Sequence, residues 1–168
     1  MTSRQVLTLA APVLTGAARV ALGILWLNEG LLKYRAHFGA ADILLVAESA
    51  ASNARVPDFF KAFTGSALQG FPDFFGFAMP LIETALGVLL ILGVFTLPAA
   101  LASVFTLMSY WLADQLIGQY PIMVLLGVLI VLWPMAASRL SLSTLVERAV
   151  RRRRPASVWG RQPIRRWL

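Results

Sequence analysis

The segment RVALGILWLNEGLLK, residues 19–33, decides the fold of this chain. It lies within an apolar stretch of membrane-helix length, yet it contains two basic residues and a carboxylate. In a helix, residues three and four positions apart share one face, and an ionisable residue is costly to keep inside a membrane. We therefore predict a functional face on this helix. That face carries Arg19, Gly23, Trp26, Gly30 and Lys33, and Glu29 lies on its flank.

The composition is that of an integral membrane protein. The chain has 168 residues, enough for one domain, of which 58% are hydrophobic and 14% charged, and its mean hydropathy is +0.73. It has no cysteine, which excludes disulfides, thiolate metal sites, haem attachment through cysteine and thiol redox catalysis. The single histidine, His37, excludes a bis-histidine haem within this chain alone. We predict no metal site.

Four apolar runs predict an all-α, integral membrane four-helix bundle over residues 16–138. The predicted spans cover residues 16–34, 75–96, 98–117 and 120–137. Residues 1–15 are interpreted as a retained, partly interfacial N-terminal segment. Residues 35–74 form one large external loop with an amphipathic helix candidate at 42–48 and an aromatic run at 59–75. This loop either lies in the headgroup plane or packs as a soluble cap over the bundle.

The net charge of +7 is concentrated in a basic tail over residues 139–168. Such a tail can in principle bind nucleic acid, but beside a membrane helix it fits the positive-inside rule and anionic lipid better. With four spans, both termini are predicted to be cytoplasmic, and no nucleic-acid partner is expected. The residues expected to contact lipid or a partner are Arg148, Arg151, Arg152, Arg153, Arg154, Arg161, Arg165 and Arg166.

Several polar side chains fall in the outer half of the predicted bundle. At 1.5 Å per residue, positions on three helices lie in the outer half of the membrane. The acid of the pair Glu29 and Lys33 precedes the base by four residues, which favours an ion pair. Glu83 needs a partner from another helix, or it must stay protonated. We predict a candidate quinone or proton site here, formed by Glu83, Glu29, Lys33, Tyr110 and Asp114.

A structural alternative to this site stays open, because buried polar residues often only hold membrane helices together. Gln115 also lies in the predicted outer half and, like Asp114, is compatible with an ordinary residue at a helix end. Arg19 falls near the opposite, inner surface. It is expected to extend its long side chain to the cytoplasmic headgroups.

The motifs resemble those of the DoxX/DoxD family of small four-helix bacterial membrane proteins. The first-helix order Arg19, Gly23, Trp26, Gly30, Lys33 is similar to the family signature, and Glu83 followed by Gly87 and Leu92-Gly93 is similar to its acidic second-helix motif. The segment 138–142 resembles the end of the family pattern, although Ser143 stands where the family usually has an aspartate. The resemblance implies a place in the bacterial inner (plasma) membrane. It also implies a link to membrane redox chemistry, as in thiosulfate:quinone oxidoreductase.

Three functional hypotheses follow. The first is a membrane subunit or accessory protein of a quinone-linked respiratory or redox complex, which anchors partners and assists quinone or proton handling. Its candidate cofactor is a quinone, and no covalently bound cofactor is expected. In that case any enzymatic activity belongs to the complex and not to this chain alone. The second is a non-catalytic structural module that binds proteins and anionic lipid. The third is a small ion or solute transporter, although no inverted repeat is evident.

Overall fold

The computed structural model describes residues 3–153, in which helices account for all of the regular secondary structure. Of the basic tail, Arg154, Arg161, Arg165 and Arg166 lie outside the described residues. The side chains of residues 3–9 and of Arg151 and Arg153 are likewise outside this description. The helices are α1 (Ser3–Arg35), α2 (Ala40–Ser52), α3 (Asp58–Phe63), α4 (Pro72–Leu92), α5 (Thr96–Leu112), α6 (Tyr120–Leu132), α7 (Pro134–Ala137) and α8 (Leu142–Arg153).

The four apolar helices α1, α4, α5 and α6 form the bundle, as the sequence predicts. Residues Ala10–Arg35 of α1 and the whole of α4 are long and apolar enough to cross a membrane, whereas α5 and α6 are shorter apolar helices. Helix α1 packs against α4, α6 and α7, and α5 packs against α6. The hydrophobic core between these helices contains Leu22, Trp26, Leu90, Met123 and Ile130, all of which are fully buried.

The helix bounds shorten one of the predicted spans. Helix α1 begins at Ser3 and runs without interruption into the first predicted span, with Pro12 inside it. The fourth predicted span does not continue to residue 137. It ends at Leu132, and the short helix α7 follows. The cause is Pro134, which has no N–H to donate to the carbonyl of Ile130 and whose ring crowds that turn.

The predicted external loop is largely helical and packs against the bundle. Helix α2 includes the predicted amphipathic segment and buries Ile43, Ala47 and Ala50. Helix α3 continues into a π-helical turn, Thr64–Leu68, before α4 begins. Helix α2 packs on α4, and Phe60 at the centre of α3 packs beside Leu112 at the end of α5. The segment from α2 to the π-helical turn, residues 40–68, is hereafter the cap.

Helices α1 and α4 approach closely along the face predicted from the 3–4 spacing. A Cβ atom on Gly87 would lie 2.6 Å from the backbone nitrogen of Leu27, and one on Gly23 would lie 2.9 Å from the carbonyl oxygen of Gly87. Small residues at such crossings let the backbones of membrane helices come into contact. This contact fixes the rotation of α1 so that its polar residues face α4.

Candidate functional site

The structure gathers most of the predicted polar site at the end of the bundle beneath the cap. The ammonium nitrogen of Lys33 on α1 donates to Glu83 Oε1 on α4 at 2.7 Å and lies 3.6 Å from Glu29 Oε2. The hydroxyl of Tyr110 on α5 donates to the same Glu83 oxygen at 2.5 Å. Lys33 is thus the partner from another helix that Glu83 requires.

The carboxylates of this cluster are shielded from solvent. The side chain of Glu83 is fully buried and that of Glu29 is 8% exposed, whereas that of Lys33 is 20% exposed. Glu83 Oε2 is buried and has no hydrogen-bond partner among the described residues. A carboxylate oxygen without a donor in an apolar interior is costly, so this oxygen is a candidate acceptor for a further hydrogen bond.

Asp114 lies outside this cluster, although its depth predicted otherwise. Helix α5 ends at Leu112, and Asp114 adopts a left-handed backbone conformation with φ 56°. Its carboxylate therefore turns towards the cap, where Oδ2 accepts a hydrogen bond from Asn53 at 2.8 Å and Oδ1 lies 3.1 Å from Arg55. Asp114 connects the cap to the end of α5.

Arg19 is buried, so the prediction that it reaches the cytoplasmic surface is wrong. Only 2% of the residue is exposed, and its guanidinium donates to the backbone carbonyls of Ala137 at 3.1 Å, Ile91 at 3.1 Å and Leu140 at 2.8 Å, and to that of Leu90. These carbonyls belong to the C-terminal ends of α4 and α7 and to the turn before α8. Helix C-termini carry unsatisfied carbonyls and a partial negative charge, which bind a cation well.

The remaining motif residues have packing roles around Arg19 and around the ion pair of Lys33 and Glu83. Trp26 is fully buried and its ring nitrogen donates to Ser103 Oγ on α5 at 2.6 Å. A Cβ on Gly30 would collide with Thr84. Gly93 has φ 69° and lies against the guanidinium of Arg19, so this position requires glycine both for its backbone conformation and for space.

An apolar pocket of about 550 Å³ lies between the cap, α4 and α5, directly beside the polar cluster. The Lys33 side chain and the ring of Tyr110 form part of its wall, and the Lys33 ammonium lies 5.6 Å from the Tyr110 ring centroid and 5.8 Å from that of Phe38. Deeper lining residues include Ile43, Phe60, Leu68 and Met79, and the exposed residues Phe59, Phe63 and Phe105 also line it.

Sequence reasoning missed the pocket and three of the polar partners. Gln119 donates through Nε2 to Glu29 Oε1, and Ser103 accepts from Trp26. Ser103 lies seven residues before Tyr110, and this spacing in the sequence predicts that both lie on the same face of α5. Asn53, a residue of the cap, donates a hydrogen bond to Asp114, and nothing local in the sequence indicates that contact. Within the described residues, no group of three or more metal-ligating side chains is present.

This arrangement defines a small, all-helical membrane protein with a buried charge cluster beside an apolar pocket. The DoxX family matches residues 14–114, and the chain belongs to this family. The match runs from within α1 to just beyond the end of α5 and includes Arg19, Glu29, Lys33, Glu83 and Tyr110. No curated protein and no solved structure gives a significant match to the chain.

Proposed function

We propose that this chain is a membrane subunit or accessory protein of a quinone-linked redox complex, and that its pocket holds the quinone ring. The observation that carries the proposal is the apolar pocket whose wall includes Lys33 and Tyr110, both of which bind the buried carboxylate of Glu83. Ligand sites of this kind combine apolar walls with a few convergent polar groups.

The pocket suits a quinone in both shape and chemistry. A quinone ring is flat and apolar and has two carbonyl oxygens that accept hydrogen bonds, and the Lys33 ammonium is a donor at the pocket wall. The aromatic walls favour a planar ring. The exposed residues Phe59, Phe63 and Phe105 at the pocket's outer edge provide an apolar exit for an isoprenoid tail towards lipid.

The charge of the cluster favours a neutral ligand. Lys33 is already shared by two carboxylates, so no positive charge is left over to bind an anionic headgroup. An anion in this pocket would be desolvated next to two acids, which is unfavourable. A neutral carbonyl compound does not incur that cost.

The same residues are placed to handle protons. A quinone, when bound, supplies a carrier for two electrons and two protons. Glu83 and Glu29 can bind and release protons close to the ring, and Lys33 and Tyr110 orient the Glu83 carboxylate. The electrons are delivered by a partner oxidoreductase subunit, which is the reason for placing this chain in a complex.

We further propose a multi-pass topology in the bacterial inner membrane with both termini cytoplasmic. Helix α8 exposes Leu142, Leu145 and Val146 together with Arg152, which is the composition of a helix lying in anionic headgroups. Arg148 lies on the same helix, four residues before Arg152. In this orientation the cap and the polar cluster lie on the external side of the bundle.

A photoreactive short-chain quinone tests the pocket. We expect it to label peptides of the cap, α4 or α5 in the full-length protein in lipid nanodiscs. The double variant T106F/S109F, which places two rings into the pocket from one face of α5, should reduce labelling at least tenfold, or about 1.4 kcal/mol. Thr106 and Ser109 both line the pocket.

The matched control is the double variant L101F/M108F, which adds the same aromatic rings to exposed positions of the same helix. Its labelling should equal that of the wild type. Equal labelling of T106F/S109F and the wild type would remove the quinone site from this pocket. It would then favour a purely structural module or a transporter.

A further inference from the structure

The ion cluster beneath the cap has an uneven charge count. Lys33 contacts Glu83 at 2.7 Å and Glu29 at 3.6 Å, so a single ammonium serves two carboxylates. Within the described part of the chain, no second Lys or Arg lies within ion-pair distance of either acid. Three ionised groups would leave one uncompensated negative charge in a site where both acids are nearly or fully buried.

The other helices around the cluster bring no further positive charge. Helix α5 contributes the hydroxyl of Tyr110, which donates to Glu83. Tyr120 begins α6, and its ring centroid lies 5.5 Å from that of Tyr110. Gln119, just before it, donates an amide hydrogen to Glu29. These neutral donors stabilise a carboxylate but do not balance its charge.

We infer that Glu29 and Glu83 share one proton across Lys33, and that this proton exchanges with water on the Gln119 side. An unpaired buried charge costs several kcal/mol, and binding one proton removes it while the remaining carboxylate keeps its pair with Lys33. The shared proton itself does not depend on the proposed function. Only its purpose, the supply of protons at the pocket, rests on that function.

The positions of the two acids indicate the direction in which the shared proton moves. Glu83 is eleven residues into α4 and fully buried, whereas Glu29 is six residues from the end of α1 and contacts the half-buried Gln119 in the α5–α6 connection. A proton moving outwards leaves the Glu83 carboxyl oxygen and bonds to a Glu29 oxygen, while the Lys33 ammonium shifts its ion pair from Glu29 to Glu83. No electron is transferred in this step.

Infrared spectroscopy of the quinone-free, full-length protein in a detergent without ester or carboxyl groups tests the inference through the C=O stretching band of protonated carboxyl groups at neutral pH. The wild type should show one such band. The band should disappear in E83Q and also in E29Q, because either change leaves one acid matched to one ammonium. In K33M it should grow to about twice the wild-type area, because both acids then lose their cation and bind protons.

Two further variants sharpen the result. E48Q changes an exposed acid of the cap and should leave the band unchanged. Q119L places an apolar side chain beside Glu29 and should retain the band while slowing its hydrogen–deuterium exchange at least tenfold. The amide band of the same spectra shows whether each variant remains helical.

A band that survives in E29Q would overturn the shared proton, since Glu83 would then be protonated on its own, and so would a wild type without any band. Unchanged exchange in Q119L would overturn the exit route. Because no quinone is present in these samples, these outcomes are independent of labelling in the pocket. Failure of the shared proton and failure of the proposed function can therefore be distinguished.

Discussion

The variant R19M is expected to lower the free energy of unfolding by about 3–5 kcal/mol, the largest single effect that the structure predicts, because each buried acceptor left without a donor costs about 1–3 kcal/mol. The guanidinium of Arg19 donates to four backbone carbonyls at the ends of α4 and α7 and in the turn before α8. Methionine has a similar length and apolar stem, so the change removes the donors without opening a large cavity. Each buried carbonyl then loses its partner.

The measurement is resistance of the purified protein to unfolding by sodium dodecyl sulfate, monitored by circular dichroism. The matched control is R35M, which makes the same change at an exposed arginine at the end of the same helix. It should shift the midpoint little. R19K should fall between the two, because an ammonium has only three donors and lacks the planar fork of a guanidinium.

Equal stability of R19M and R35M would contradict the structural role of Arg19. It would indicate instead that the guanidinium reaches the headgroups, as the position of the residue along α1 first suggested. The same result would leave the positive φ of Gly93 explained by the turn alone, without the close contact to Arg19.

The second large effect is expected at the crossing of α1 and α4, where G87A should lower the free energy of unfolding by about 1–3 kcal/mol. A Cβ at this position would lie 2.6 Å from the backbone nitrogen and 2.8 Å from the Cα of Leu27. Backbone atoms cannot rotate away as a side chain can, so the helices must separate. Their separation would also disturb the contact between Lys33 and Glu83.

The control for this variant is G16A, since nothing lies within 4 Å of a Cβ at Gly16 of α1. Because alanine favours a helix over glycine by about 0.5–1 kcal/mol, G16A should be neutral or slightly stabilising. In the same unfolding assay, G87A is therefore expected to destabilise the protein, whereas G16A is not. A stabilising G87A would show that α1 and α4 are farther apart than the structure places them.

The sequence alone predicted the fold class and the polar face of α1. Three- and four-residue spacing from Arg19 to Lys33 was sufficient, because a helix has one fixed periodicity and this face packs against the other helices of the bundle. Depth along the helices also placed Glu83, Tyr110 and Lys33 in the same half of the membrane. Their direct contact depends on helix rotation, which is set by the close approach at Gly87 and is not visible in any single segment.

Two site predictions failed for physical reasons that a pattern of side chains does not reveal. The acceptors of Arg19 are backbone carbonyls, and their positions depend on where α4 and α7 end. Asp114 was expected to continue the face of α5, but the helix ends two residues earlier and a left-handed residue redirects the carboxylate to Asn53 and Arg55. The pocket was missed because the cap supplies part of its walls.

Purification from the native membrane in a mild detergent tests the central claim most directly. The measurement is the mass of the particle that contains this chain, together with its visible spectrum and the quinone content of its organic extract. We predict an assembly much larger than the 18.4 kDa chain, with an oxidoreductase partner and bound quinone. A small, colourless particle that contains neither quinone nor an oxidoreductase would contradict the account.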